Sequence, residues 1–93
     1  MNIEEIREKV APLLRSYGAS RAGVFGSAAR GELKKDSDVD ILVEIPRPIS
    51  LLDFVAIKQK LEETLGRKVD LVEYATLKPS LRDAILKTQT AIL

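Results

Sequence analysis

The 93-residue chain carries 15 Lys and Arg against 14 Asp and Glu, a formal net charge of +1. This balance excludes both the basic excess of a nucleic-acid-binding surface and an acidic tail. Cysteine and histidine are both absent, which excludes disulfides, thiolate metal sites, and the commonest general base and zinc ligand.

Any metal site must therefore be built from oxygen, which points to Mg²⁺, Mn²⁺ or Ca²⁺. The opening residues do not read as a signal peptide, and no apolar run reaches membrane-spanning length, so the expected location is the cytoplasm. With 45% hydrophobic and 31% charged residues, the chain reads as one globular domain over residues 1–93. That size lies near the lower end of what buries a self-sufficient core, so a partner surface that completes it is expected.

The first element is an amphipathic helix: Ile3, Ile6, Val10, Leu13, Leu14 and Tyr17 recur at helical spacing. Gly18 is its stop, and Pro12 inside it is expected to kink it. Residues 21–25 form a short apolar run and read as a strand. Ser27 then sits near the N-cap of a short helix through Arg30, closed by Gly31, and residues 32–37 are a charged loop.

Residues 39–45 read as a second strand, ended by Pro46-Arg47-Pro48. Ser50 is the N-cap of a second long helix, with Asp53 three residues on and Gly66 as its stop. Residues 68–73 are a third strand, with Glu44 and Glu73 expected to extend their strands on the polar side. Pro79 fits the first turn of a last helix, and residues 90–93 fit a helix, a strand or a frayed end. The pattern predicts an α/β arrangement (α+β in its layering), with a mixed three- to four-stranded sheet packed against helices.

The chemistry is concentrated between Gly23 and Val43. On a strand, residues i and i+2 face the same way, so Asp38 and Asp40 project together while Val39, Ile41 and Val43 project to the other side. Two adjacent carboxylates repel, and a divalent cation removes that cost by using both as ligands. Asp70, between Val69 and Leu71, also faces away from the apolar side of its strand. If the second and third strands are neighbours, Asp70 sits beside Asp40, and three carboxylates suit two Mg²⁺ ions about 3.5–4 Å apart.

Gly26-Ser27 supplies a phosphate cradle: glycine lets the backbone approach closely, and the following N–H groups and the Ser27 hydroxyl can bond phosphate oxygens. Arg30, one turn on, adds charge to this cradle or is a solvated loop residue like Lys34 and Lys35. Tyr17 and Tyr74 read as packing residues.

Gly26-Ser27-x-x-Arg30-Gly31, a polar loop, Ser37-Asp38-x-Asp40-x-Leu42-Val43 and the later Asp70 resemble the nucleotidyltransferase superfamily, and in size and wording its minimal (MNT) branch. Residues 77–82 are also family-like, whereas residues 87–93 depart from the acidic residue and closing strand expected there. The resemblance implies a small nucleotidyltransferase-like fold. It also implies that Asp38 and Asp40 bind both Mg²⁺ ions (Mn²⁺ as a substitute), that Asp70 joins one of them, and that Gly26 and Ser27 contact the triphosphate of ATP.

Many MNT proteins are antitoxins paired with a HEPN-type ribonuclease toxin. The expected activity by resemblance is transfer of AMP from ATP to a toxin tyrosine within a hetero-oligomer, with no direct nucleic-acid or membrane binding. With no histidine present, Asp70 is the candidate to accept the proton of the acceptor hydroxyl. Larger relatives carry a second domain for the acceptor; this chain leaves no room for one, so a hydroxyl on a partner protein is favoured. The alternative is a non-catalytic antitoxin that covers the toxin surface, with a nucleotide-sensing regulatory domain as a weaker third possibility.

Overall fold

The computed structural model describes residues 2–26 and 38–93. The elements in chain order are α1 (Ile3–Ser16), β1 (Arg21–Phe25), β2 (Val39–Glu44), α2 (Leu51–Leu65), β3 (Val69–Glu73), a 3₁₀ turn (Tyr74–Thr76), α3 (Pro79–Thr88) and β4 (Thr90–Ala91). The expected short helix from Ser27 to Arg30 and the loop over residues 32–37 lie outside the described residues.

Local chemistry explains the helix ends. The Asn2 side chain accepts the Glu5 N–H at 2.9 Å, and Ser50 accepts the Asp53 N–H at 3.0 Å, each satisfying a donor at a helix start. Gly66 ends α2 in the left-handed region (φ 67°) with its N–H on the Glu62 carbonyl. Helix α1 runs on through Pro12. Because Pro12 is exposed, the Glu8 carbonyl that loses its intrahelical donor can turn to solvent.

The sheet order is β3-β2-β1-β4, with β2 parallel to β3 and the other pairs antiparallel. The mixed four-stranded sheet matches the expected fold class. The last residues resolve as a strand: β4 pairs with Gly23 and Val24, Ile92 N–H donates to the Ala22 carbonyl at 3.0 Å, and Arg7 donates to the Ala91 carbonyl at 3.0 Å. Non-local backbone pairing thus decides a segment too short to declare its period.

One sheet face is apolar. Ala22, Val24, Val39, Ile41, Val43, Val69 and Leu71 meet Ile6, Val10 and Leu14 of α1 and Ile57, Leu61 and Leu65 of α2 in a single core. Two-residue alternation places Glu73 with Val69 and Leu71 on this helix-facing side, where it is half-buried. This corrects the expectation that Glu73 extends the polar side. Glu44 does share the parity of Asp40 and is exposed.

The opposite face carries three rows set by the register: Phe25, Asp40 and Asp70; then Gly23, Leu42 and Val72; then Arg21 and Glu44. Its middle is covered. Leu42 is fully buried although it shares parity with the aspartates, and Tyr74, itself buried, has its hydroxyl over Gly23. Helix α3 contributes no buried residue.

Leu61 is fully buried at the centre of the helix-facing core. Leu61→Ala should cost about 2–5 kcal/mol, a large part of a small domain's stability, read as a lowered midpoint in urea unfolding.

Candidate active site

Asp40 pairs in register with Phe25 on one side and Asp70 on the other. Adjacent strands lie about 4.8 Å apart, so the backbone alone brings the Asp40 and Asp70 side chains onto one face as neighbours. The strand adjacency that the sequence could state only as a condition is present. Asp38 is exposed and immediately precedes β2, where the Val39 N–H donates to the Lys68 carbonyl at 2.9 Å. Its parity extends the Asp40 side of the strand.

Gly26 ends β1 with φ 69°, a conformation that disfavours side chains. A Cβ built there would stand 2.3 Å from Asp40 Oδ2. Glycine is therefore required twice, for the backbone angle and for the space the carboxylate occupies. This contact ties the Gly-Ser motif to the Asp-x-Asp motif physically.

Gly26, Asp40 and Asp70 are thus brought together, and Asp38 stands at the strand entrance. Ser27 and Arg30 lie outside the described residues. Among the described residues, no group of three or more acidic side chains is placed to hold a metal ion. The donor set nevertheless fits a hard divalent cation: every candidate ligand is a carboxylate oxygen, on one face, beside a backbone stripped of Cβ.

A second polar group on the same face escaped the sequence analysis. The Tyr74 hydroxyl donates to Gln89 Oε1 at 2.7 Å, and the Arg21 guanidinium lies 4.2 Å from the Tyr74 ring centroid. A Cβ at Gly23 would stand 2.2 Å from Gln89 Oε1, so Gly23 makes room for this roof one row above Asp40. Tyr74 is a packing residue, as expected, and Gln89 is the one missed. An isolated glycine inside a strand was the available signal, since it marks close approach by another group.

Burial raises the Tyr74 pKa above the ordinary tyrosine value, opposed by the positive charge of Arg21 and the Gln89 hydrogen bond. A raised folded-state pKa means that the neutral phenol is favoured by folding. Its contribution is complete below about pH 10 and is lost as pH rises through the folded value. An ultraviolet titration should show one of the two tyrosines ionising late, and Tyr74→Phe should remove that late step. At Gly26, alanine should push the Asp40 carboxylate aside and add about 1–2 kcal/mol of backbone strain; Mn²⁺ titration should show weakened binding, and urea unfolding a lowered midpoint.

Comparison with known proteins places the chain in a family. The Nucleotidyltransferase domain family matches residues 3–91. A relative from Methanocaldococcus jannaschii, classed among the protein adenylyltransferases, is 48% identical over 93 residues with 100% of both chains covered. The protein adenylyltransferase MntA of Thermococcus cleftensis is 43% identical over 84 residues, covering 90% of this chain and 78% of its own. A solved structure described as a minimal nucleotidyltransferase superposes with a TM-score of 0.83 at 42% identity, over 97% of this chain and 95% of that one. A toxin–antitoxin crystal structure with AMP-PNP gives a TM-score of 0.83 at 25% identity, over 94% of this chain and 72% of that one. With Asp40 and Asp70 on one sheet face and Gly26 against Asp40, this chain belongs to the nucleotidyltransferase family, in the minimal branch.

Proposed function

We propose that the protein transfers AMP from ATP to a hydroxyl, tyrosine by preference, on a HEPN-type toxin and so acts as its antitoxin in the cytoplasm. The observation that carries this is the in-register Asp40–Asp70 pair with Gly26 closed against Asp40. Support comes from relatives named protein adenylyltransferases and from the toxin–antitoxin complex with AMP-PNP that shares the fold.

In this reading Asp38, Asp40 and Asp70 hold Mg²⁺, with Mn²⁺ as a substitute, and Gly26 and Ser27 receive the triphosphate, assisted by Arg30. Bound Mg²⁺ supplies charge neutralisation of the triphosphate and acidifies the attacking hydroxyl. The acceptor oxygen bonds to the α-phosphorus as the bond from that phosphorus to the α–β bridging oxygen breaks. Pyrophosphate departs with the electron pair, and Asp70 accepts the hydroxyl proton. The rest of the rate comes from positioning and electrostatics, as is usual for phosphoryl-group transfer.

The test is incubation with Mg²⁺, a HEPN-type partner and ATP labelled at the α- or the γ-phosphate. Label should reach the partner from the α position only and should be abolished by Asp40→Asn. Label from the γ position would indicate a kinase. No label with the partner still inhibited would replace the enzyme by a binding antitoxin.

A further inference from the structure

Among the described residues, strand β3 is an edge of the sheet, next to β2 on one side only. Its even-numbered positions bond inward, as the Lys68 carbonyl does with the Val39 N–H. Its odd-numbered positions point outward. At the start of this edge the Val69 N–H is taken by Glu62 of α2 at 2.9 Å, and at its end the Glu73 carbonyl accepts the Thr76 hydroxyl at 2.9 Å. Between them lies Leu71. Among the described residues its outward N–H and carbonyl have no backbone or side-chain partner.

A groove of about 350 Å³ lies along this gap, lined by Ile49, Leu51, Phe54, Leu71, Glu73 and Thr76. Apolar surface continues beyond it on α2, where Leu51 is 77% exposed, Leu52 81% and Val55 39%. Among the described lining residues the one that carries charge is Glu73. On the other side of the same strand, the polar face presents Asp70 with Asp40 behind it.

A backbone donor and acceptor left open between two satisfied ends fits an extended chain. The apolar wall fits aliphatic side chains on the groove side of that chain, and Glu73, on the same side as Leu71, fits a basic one among them. An added strand alternates its side chains as β3 does, and a directly opposed pair has Cβ atoms about 4.5–5.5 Å apart. A side chain on the polar side of such a strand would therefore lie beside Asp70. We propose that the β3 edge and its groove take an extended segment of the protein substrate as a fifth strand, with aliphatic side chains and one basic side chain in the groove and its hydroxyl-bearing side chain next to Asp70. The acceptor role rests on the AMP-transfer function proposed above; the docking strand does not.

The probe is a blocked decapeptide alternating serine and valine with one central valine replaced by lysine, with glutamate in place of that lysine as control, followed by amide hydrogen exchange and chemical shifts. The lysine peptide should slow exchange at Leu71, with shifts confined to β3 and the first turns of α2. Leu51→Glu, at an exposed position that the fold tolerates, should weaken this binding about tenfold or more, as should Glu73→Lys. Shifts centred elsewhere, equal binding of both peptides, or concentration-dependent protection of Leu71 without peptide (a second copy on the edge) would each overturn the proposal. AMP-PNP binding, measured in parallel, separates the two claims. Peptide protection without nucleotide binding would leave the docking strand standing and sink AMP transfer. Nucleotide binding and full transfer to the partner by Leu51→Glu would overturn the docking strand alone.

Discussion

The parallel register of β2 on β3 places Asp40 opposite Asp70, and everything proposed for this protein depends on that pairing. Side chains on a strand alternate, so a shift of one residue would turn every aspartate into the core and every valine out of it. The register is held from the apolar side, where Val39, Ile41, Val43, Val69 and Leu71 must all meet α1 and α2. Hydrophobic packing on one face thus positions carboxylates on the other.

The polar face divides along its length. Its middle is roofed by Tyr74 and Gln89 over Gly23, and its end, in the row of Phe25, carries Asp40 and Asp70. Two glycines mark the division, each because a Cβ would strike a polar side chain: Gln89 at Gly23 and Asp40 at Gly26. A domain of this size has few residues to spare, and one strand, β1, serves both the roof and the site. The α3 helix, with no buried residue, is held at its ends by the Tyr74 turn and by β4 rather than by a core face of its own.

Most of the elements were legible in the sequence because their signals are local. Apolar residues at helical spacing, Ser50 and Gly66 as caps, and alternation in β2 and β3 each act within a few residues. Glu73 shows the limit of local signals: charge at a strand end suggests an outward residue, while its parity with Val69 and Leu71 puts it on the helix side. The last strand was open between alternatives because Thr90-Ala91 is too short to show a period, and its pairing partner, Gly23-Val24, lies far away in sequence.

For the site, the sequence by itself limited the chemistry: without histidine or cysteine the ligands of any bound metal are oxygen, and the spacing Asp38-x-Asp40 gives both carboxylates the same strand parity. It also determined family membership, since the Gly-Ser and Asp-x-Asp motifs occur together. Only the tertiary structure decided that β3 is the neighbour of β2, that Asp40 fills the space a Gly26 side chain would need, that Gln89 crosses to Gly23, and that the β3 edge stays open at Leu71. Strand alternation is a property of the local backbone, whereas the choice of neighbour is made by burying the apolar faces of distant segments together, which no local spacing encodes.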